Sequence, residues 1–316
     1  MANVSESEYP EPSKAEIKAQ VARESERRAR LGVPAAAGGV LYMLSGIILT
    51  TTLRGIPTVG VLQGVAPALR GEANPAVSPR AGEVTFQSHH SFGLVAGSVL
   101  VALAYAAIVL VLLFILGATR FRQPQTRPAA RWLILIGGSA VAVLSVATQI
   151  LLAIKTHNFV TGHDFSDHAV EAVTHNGIYT VLAYITPVAG IALAAGMIMT
   201  MLGAVRTGLV PRWVAMVGGV SAVLLLLPTA VLDFVPAFWM VAMGILIMER
   251  WPSGDPPAWA SGEAIPWPSQ AEMREAKEEA KSGETKKVRA KDNGVPEPAQ
   301  PVKSSSRKRR KRSASR

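Results

Sequence analysis

Cysteine is absent from the 316 residues of this chain. Its absence excludes disulfide bridges, thiolate metal sites and catalysis by a cysteine nucleophile. Charged residues are sparse as well, at 17%, whereas hydrophobic residues make up 49% and the mean hydropathy is positive. A soluble domain usually carries more charge than this, so the composition indicates a membrane protein.

Charge is missing above all from a series of apolar stretches. A membrane core of about 30 Å requires about 20 apolar residues of helix. Stretches that meet this length lie at 34–53, 92–116, 132–154 and 178–202. A further apolar region is interrupted by Pro228, Asp233 and Pro236, and we interpret it as two shorter spans, 211–228 and 231–249. The predicted fold class is all-α, a polytopic helical membrane protein with about six transmembrane helices.

Lys and Arg residues are distributed unevenly around these spans. Thirteen flank the spans on one face and four on the other. Because Lys and Arg near span ends favour the cytoplasmic side, both termini are predicted to be cytoplasmic. The chain then divides into a charged N-terminal segment (1–33), a transmembrane domain (34–250) and a basic, mostly disordered tail (251–316).

The N-terminal segment has the signature of a helix start. Ser13 and Glu16 have the spacing of a capping box and precede a charged stretch that runs toward the first span. No small-residue cleavage site follows a short apolar run, so the first span is predicted to be an uncleaved anchor. We expect the charged helix to be solvated and to have no partner.

The tail is rich in Pro, Ser, Glu and Lys, a composition typical of disorder. One short helix is predicted over 269–282, again from a capping box. A basic run near the end of the chain contains Arg307, Lys308, Arg309, Arg310, Lys311 and Arg312. Such a run is attracted to anionic lipid headgroups, at about 1 kcal/mol per residue near the surface. Nucleic acid is the less favoured polyanion, because no aromatic residues interleave the run for base stacking.

The spans carry no Asp, Glu, Lys, Arg or His at mid-bilayer depth. Pumps and ion-coupled transporters usually keep such groups for coupling. No nucleophile–base set or metalloprotease spacing is present either. The predicted function is therefore a structural, interaction or sensory membrane protein without enzymatic activity, with the lipid bilayer and another membrane protein or a second copy of the chain as partners.

Four of the six histidines fall in one outer segment, HNFVTGHDFSDHAVEAVTHNG at 157–177. A helix from Asp164 or Ser166 to about residue 176 would place four side chains on one polar face: Asp164, His168, Glu171 and His175. The opposite face is apolar. This pattern predicts an amphipathic helix resting on the outer leaflet, without a ligand.

The same polar face also suits a metal ion. Asp164 with His168, and Glu171 with His175, have the i,i+4 spacing at which two side chains approach one ion, and this donor set suits zinc. The alternative function is thus a binding or transport protein with an outward-facing divalent-metal site. Two further alternatives are proton sensing by histidine charging and a haem held by His175 with His89 or His90.

The two ends of the apolar region carry recognisable stretches, RLGVPAAAGGVLYMLSG and VPAFWMVAMGILIMERWP. With the long outer loop after the first span, this layout resembles uncharacterised six-helix bacterial integral membrane proteins grouped as a domain of unknown function. The resemblance covers about residues 30–251. It implies the six-span topology and a multi-pass location in the bacterial plasma (inner) membrane, and it assigns no catalytic residue.

Overall fold

The structure is a computed structural model. It describes residues 12–60, 62, 66, 69–71, 77–126, 128–174, 177–226, 234–252 and 254–267. Four of the sequence predictions lie outside these residues: the ligand role of His175, the interruption at Pro228 and Asp233, the short helix at 269–282 and the basic run at 307–312.

The described residues form helices and turns, with no strand among them. In chain order the helices are α1 Lys14–Leu53, α2 Ala81–His89, α3 Ser91–Arg122, α4 Ala129–Gly162, α5 Asp167–Thr174, α6 Gly177–Arg206, α7 Arg212–Leu224, α8 Phe234–Ile247 and α9 Pro257–Ser261. Helix α4 includes a π-helical turn at Leu133–Gly137. The predicted all-helical class is confirmed for the described part of the chain.

Within the described part of the chain, four stretches are long and apolar enough to cross a membrane. They are Lys14–Leu53, Ser91–Arg122, Ala129–Gly162 and Asp167–Arg206, and they contain the first four predicted spans. Helices α7 and α8 have only 13 and 14 residues. At 1.5 Å per residue each is about 20 Å long, too short to cross a 30 Å core by itself.

The long helices and the α7–α8 pair pack as a closed ring in the order α1, α3, α4, α6, α7, α8, with α8 returning to α1. Glycines allow the closest approaches. A Cβ on Gly39 would lie 2.6 Å from the Ala237 carbonyl oxygen, and one on Gly137 would lie 2.5 Å from the Leu193 nitrogen. Small residues at such positions let backbones approach and gain dispersion contacts, the usual basis of helix packing in membranes.

We call the end of the bundle at Leu53 and Gly177 its outer end and the opposite end its inner end, after the predicted orientation. The described residues of the α7–α8 pair reach only part of the way toward the outer end. Ala237, near the start of α8, lies beside Gly39, which is 14 residues from the outer end of α1. Leu226, just beyond α7, lies 3.1 Å from the Cβ position of Gly190, 13 residues from the outer end of α6. Both levels are about 20 Å below the outer ends of their neighbours. Among the described residues, the outer part of the bundle is therefore built from α1, α3, α4 and α6.

Helix α1 begins as predicted, with Ser13 and Glu16 forming a complete capping box. It then continues without a break through Pro34 to Leu53. Most charged residues in the N-terminal part of α1 are exposed, as expected. The expectation is wrong for Glu24 and Arg28, which are only 3% and 4% exposed. Their burial places charged groups against the inner end of the bundle.

Candidate functional site

The outer histidine segment folds largely as predicted, into helix α5. The Ser166 hydroxyl accepts a hydrogen bond from the Ala169 N–H at 3.3 Å, which is the N-cap arrangement. Asp164, His168 and Glu171 are exposed, so the polar face is accessible to solvent.

The apolar face of α5 packs on protein, not on the outer leaflet. Val170 and Val173 are 3% and 7% exposed, and they form an apolar cluster with Ala81 and Val84 of α2 and with Phe159 of α4. A backbone hydrogen bond of 2.7 Å from Ser78 to the Phe165 carbonyl joins the two outer segments. The prediction of a helix lying on lipid is wrong in this respect, because α2 covers that face. The residues of α2 were predicted to belong to the long outer loop after the first span.

The predicted metal ligands come together only in part. The pKa of Asp164 lies below its usual range, because the Ser166 side chain and then its backbone N–H bond the carboxylate, with a small contribution from nearby His168. No group of three or more His, Asp or Glu side chains suited to a metal ion occurs among the described residues. Since His175 lies outside them, the zinc site stays a prediction.

The histidines proposed for haem are at the junction of α2 and α3. His89 and His90 are exposed, and the His90 ring stacks on Phe86 with centroids 4.0 Å apart. Its Nδ1 also lies 2.9 Å from the Phe86 carbonyl oxygen. Local contacts thus account for the placement of His90, and the haem alternative stays untested because His175 is its other ligand.

A buried ion-pair cluster occupies the inner end of the bundle, and sequence reasoning missed it. Arg122 at the end of α3 donates hydrogen bonds of 2.9 and 2.8 Å to the two carboxylate oxygens of Glu24. The two side chains are 0% and 4% exposed. Arg122 also bonds the carbonyls of Ala118 and Ala258. This bidentate, fully satisfied arrangement offsets the cost of burying both charges.

Arg28, one turn further along α1, joins the same cluster to the end of α8. Its guanidinium bonds the Leu246 and Ile247 carbonyls at 2.8 and 3.3 Å, which satisfies backbone acceptors at a helix C-terminus. It also pairs with Glu249 at 3.2 Å and Asp255 at 3.0 Å. Arg28 therefore ties the N-terminal helix to the chain that leaves the bundle.

Trp259 of α9 fills the centre of the cluster. It is 4% exposed, stacks on Phe114, and donates a 2.9 Å hydrogen bond from Nε1 to the Leu209 carbonyl. Arg28 and Arg122 lie 4.6 and 5.5 Å from its ring centroid, within the range of cation–π attraction.

Residues 254–267 are therefore folded, although the sequence assigned them to the tail. Trp267 Nε1 bonds the Val210 carbonyl, and Arg212 bonds the Trp267 carbonyl. The compact unit that contains the bundle extends to Trp267. The two tryptophans in an otherwise polar, Pro-rich stretch were the available signal, since Trp is rare in disordered segments.

A second candidate site is a cavity of about 380 Å³ between α1, α3, α4 and α6. Its polar lining residues are Ser98, Ser145, Thr148, Gln149, Tyr179 and Thr186. Ala183 and Pro187 also line it, and both are exposed. It lies in the outer part of the ring, and its described lining residues come from α1, α3, α4 and α6.

In comparisons with family models, curated proteins and solved structures, none matched the chain.

Proposed function

We propose that the protein is a multi-pass protein of the bacterial inner membrane, with both termini cytoplasmic. Apolar side chains on the outside of the helices support insertion. On α6 alone, Tyr184, Val188 and Ile191 are 75%, 66% and 57% exposed. A water-soluble protein rarely leaves a continuous apolar surface of this kind uncovered, whereas a bilayer covers it.

The topology that the geometry supports best is four spans and one hairpin. Helices α7 and α8 enter from the cytoplasmic side and end near mid-bilayer depth, at the levels of Gly190 and Gly39. Backbone at that depth is tolerated when surrounding helices cover it. This proposal replaces the six full spans expected from the sequence, and it leaves both termini on the same side.

Single cysteines provide the test, because the chain has none of its own. With an impermeant maleimide on intact cells, Thr58→Cys in the outer segment should be labelled and Gln125→Cys in the inner loop should not. Leu226→Cys separates a hairpin from six full spans, since a full span would bring this residue to the outer surface. External labelling of Leu226→Cys would exclude the hairpin, and labelling of Gln125→Cys would reverse the topology.

We further propose that the protein is a non-enzymatic interaction protein that anchors charged cytoplasmic segments at the membrane. The supporting observation is the buried cluster of Glu24, Arg28, Arg122 and Trp259, which fixes the N-terminal helix and residues 254–267 to the bundle. The tail that follows carries the basic run, whose six members are Arg307, Lys308, Arg309, Arg310, Lys311 and Arg312. Its proposed partner is the anionic lipid surface.

Vesicle capture tests this function on the full chain. Protein in nanodiscs of neutral phosphatidylcholine should capture added vesicles that contain phosphatidylglycerol, and capture should fall as salt rises. Replacing the six basic residues by Gln should reduce capture at least tenfold. Equal capture of purely neutral vesicles, or no loss in the Gln variant, would contradict the proposal.

A further inference from the structure

A polar cavity of about 390 Å³ lies at the inner end of the bundle, between the end of α3, the start of α4 and the end of α6. Its polar lining residues are Gln123, Gln125, Thr126 and Arg206, and its apolar lining residues are Ala130, Met199, Leu202 and Gly203. The cavity therefore shares no residue with the buried cluster of Glu24, Arg28, Arg122 and Trp259.

Contacts within the fold shape this cavity. The Thr126 hydroxyl and backbone N–H both donate to the Gln123 carbonyl, at 2.7 and 3.1 Å, which fixes the turn that follows α3. On α6, the Cβ position of Gly203 lies 2.9 Å from Thr119 Cγ2. This close approach holds α3 and α6 together one turn before Gln123. The walls of the cavity are thus in place before a ligand binds, which lowers the ordering cost of binding.

The lining carries one charge, and it is positive. Arg206 is its ionisable residue, and no Asp or Glu occurs among the lining residues that the structure describes. Arg206 forms no hydrogen bond or ion pair with another described residue. A guanidinium can bind a phosphate group through two parallel N–H···O hydrogen bonds. The lining therefore favours an anion, whereas a cation would meet a like charge.

Gln123 and Gln125 add neutral hydrogen-bonding groups to the same lining. Neither side-chain amide bonds another described residue, so each keeps its N–H donors and its carbonyl acceptor for a ligand. The N–H groups suit the oxygens of a phosphodiester, and the carbonyls suit hydroxyl groups attached to it. The polar lining thus matches a phosphate that carries a glycerol group.

The polarity of the lining changes along α6. Met199 and Leu202 are apolar, and Leu202 is 56% exposed. Arg206 is seven residues, about 10 Å, beyond Met199 toward the inner end. Trp132 is 62% exposed and follows the lining residue Ala130 by two positions, a placement typical of an interfacial tryptophan. A phospholipid of the inner leaflet has the same order, with its chains toward the membrane centre and its phosphate toward the cytoplasm.

The charge of the lining also separates the classes of phospholipid. Phosphatidylcholine and phosphatidylethanolamine carry a positive group next to the phosphate, and the described lining offers no carboxylate to receive it. Phosphatidylglycerol carries hydroxyl groups at that position, which the amides of Gln123 and Gln125 can bond. An anionic headgroup is therefore the better match.

We propose that this cavity binds the phosphoglycerol headgroup of an anionic phospholipid of the inner leaflet. Arg206 binds the phosphate, Gln123 and Gln125 bond the other headgroup oxygens, and the chains leave over Met199 and Leu202. Basic pockets between helices on the cytoplasmic side are a known form of lipid site. The assignment rests on the proposed orientation, which puts this end of the bundle at the inner leaflet, and it does not involve the basic run at 307–312.

Photolabelling of the full-length protein tests this assignment. Phosphatidylglycerol and phosphatidylcholine that carry the same diazirine near the start of one acyl chain are compared in detergent micelles. The protein with the six basic tail residues replaced by Gln is used throughout, so that the tail does not compete. After illumination, mass spectrometry should find the phosphatidylglycerol probe on the peptides that contain residues 123–130 and 199–206 at least five times more often than the phosphatidylcholine probe. Labelling in micelles does not depend on orientation, so a reversed topology and a missing lipid site are distinguishable.

Competition separates a lipid headgroup from a soluble phosphate. Unlabelled phosphatidylglycerol should displace the probe from both peptides. Glycerol 1-phosphate and inorganic phosphate in excess should not, because they have no chains to lie over Met199 and Leu202. Displacement by glycerol 1-phosphate as effective as that by the lipid would overturn the lipid assignment.

Variants locate the site and separate it from general lipid contact. Arg206→Gln should reduce labelling by the phosphatidylglycerol probe at these peptides at least fivefold. Gln125→Glu places a negative charge in the lining at an exposed position and should have the same effect, which keeps the test valid if Arg206→Gln fails to fold. Arg27→Gln is the matched control, because Arg27 is an exposed arginine of α1 outside the lining. Equal labelling by the two lipids, unchanged labelling in Arg206→Gln or Gln125→Glu, or an equal loss in Arg27→Gln would overturn the proposal.

Discussion

Arg122 and Glu24 are 98 residues apart in the chain and form a bidentate ion pair that is almost fully buried. The pair joins the end of α3 to the charged part of α1. Because both charges have left water, the two side chains depend on each other far more than a surface pair does.

Removing one partner should therefore be strongly destabilising. Arg122→Met leaves the Glu24 carboxylate buried and uncompensated, and should lower the free energy of unfolding by about 3–5 kcal/mol. The double variant Arg122→Met, Glu24→Leu removes both charges and should recover most of the loss. Unfolding in mixed detergent micelles measures both values.

The exposed pair of Arg30 and Glu26 gives the matched control, since its side chains are 76% and 65% exposed. Arg30→Met should change stability by less than about 1 kcal/mol. Equal losses for Arg122→Met and Arg30→Met would show that burial of the inner pair has no energetic consequence.

Trp259 should decide whether residues 254–267 stay on the bundle. Trp259→Ala removes the stacking on Phe114 and the hydrogen bond to Leu209, and should cost about 3–5 kcal/mol. Limited proteolysis should then cut between residues 252 and 267, whereas the parent protein should resist cleavage there. Trp132→Ala provides the comparison, because Trp132 lies on α4, is 62% exposed, and its loss should not open this segment. Identical cleavage in the two variants would contradict the role of Trp259.

The sequence predicted the features that depend on local composition. The four long helices follow from apolar length, and the start of α1 from the spacing of Ser13 and Glu16. The N-cap of α5 was likewise among the residues named in advance. Each of these is set by residues close together in the chain, so a single sequence is sufficient.

The features that the sequence did not predict depend on distant residues. Glu24 gave no sign that Arg122 would lie beside it, and Trp259 gave none that two arginines would flank its ring. Helix α2 was missed because only two of its residues, Ala81 and Val84, are buried. They are buried against residues of α4 and α5 that are distant in the chain. The outer cavity was missed for the same reason, because its lining comes from four helices that are distant in the chain.

Gly39 tests the closeness of α1 and α8. A Cβ there would meet the Ala237 carbonyl oxygen at 2.6 Å and a Val241 methyl at 2.8 Å, and backbone has little freedom to yield. Gly39→Ala should therefore destabilise the bundle by about 1–3 kcal/mol through overpacking.

The control for Gly39 is Gly219, also inside a helix, whose Cβ position has nothing within 4 Å. Gly219→Ala should be neutral or stabilising by up to about 1 kcal/mol, because alanine favours helix. Detergent unfolding of the two variants against the parent gives both numbers. A Gly39→Ala variant as stable as Gly219→Ala would show that α1 and α8 are further apart.

The outer segment should have a pH dependence set by Asp164. Hydrogen bonds from the side chain and then the backbone of Ser166 hold the pKa of Asp164 below its usual range. A lowered folded-state pKa means that the ionised carboxylate stabilises the fold at pH values above the unfolded value of about 3.9. That contribution is lost as the pH falls through the folded-state pKa.

Asp164→Asn should therefore lower the unfolding temperature at pH 6, and the difference from the parent should shrink below pH 4. In a Ser166→Ala background, which removes the main donor, Asp164→Asn should have a smaller effect at pH 6. A difference that stays constant from pH 6 to pH 3 would mean that Asp164 acts through shape and not through its charge.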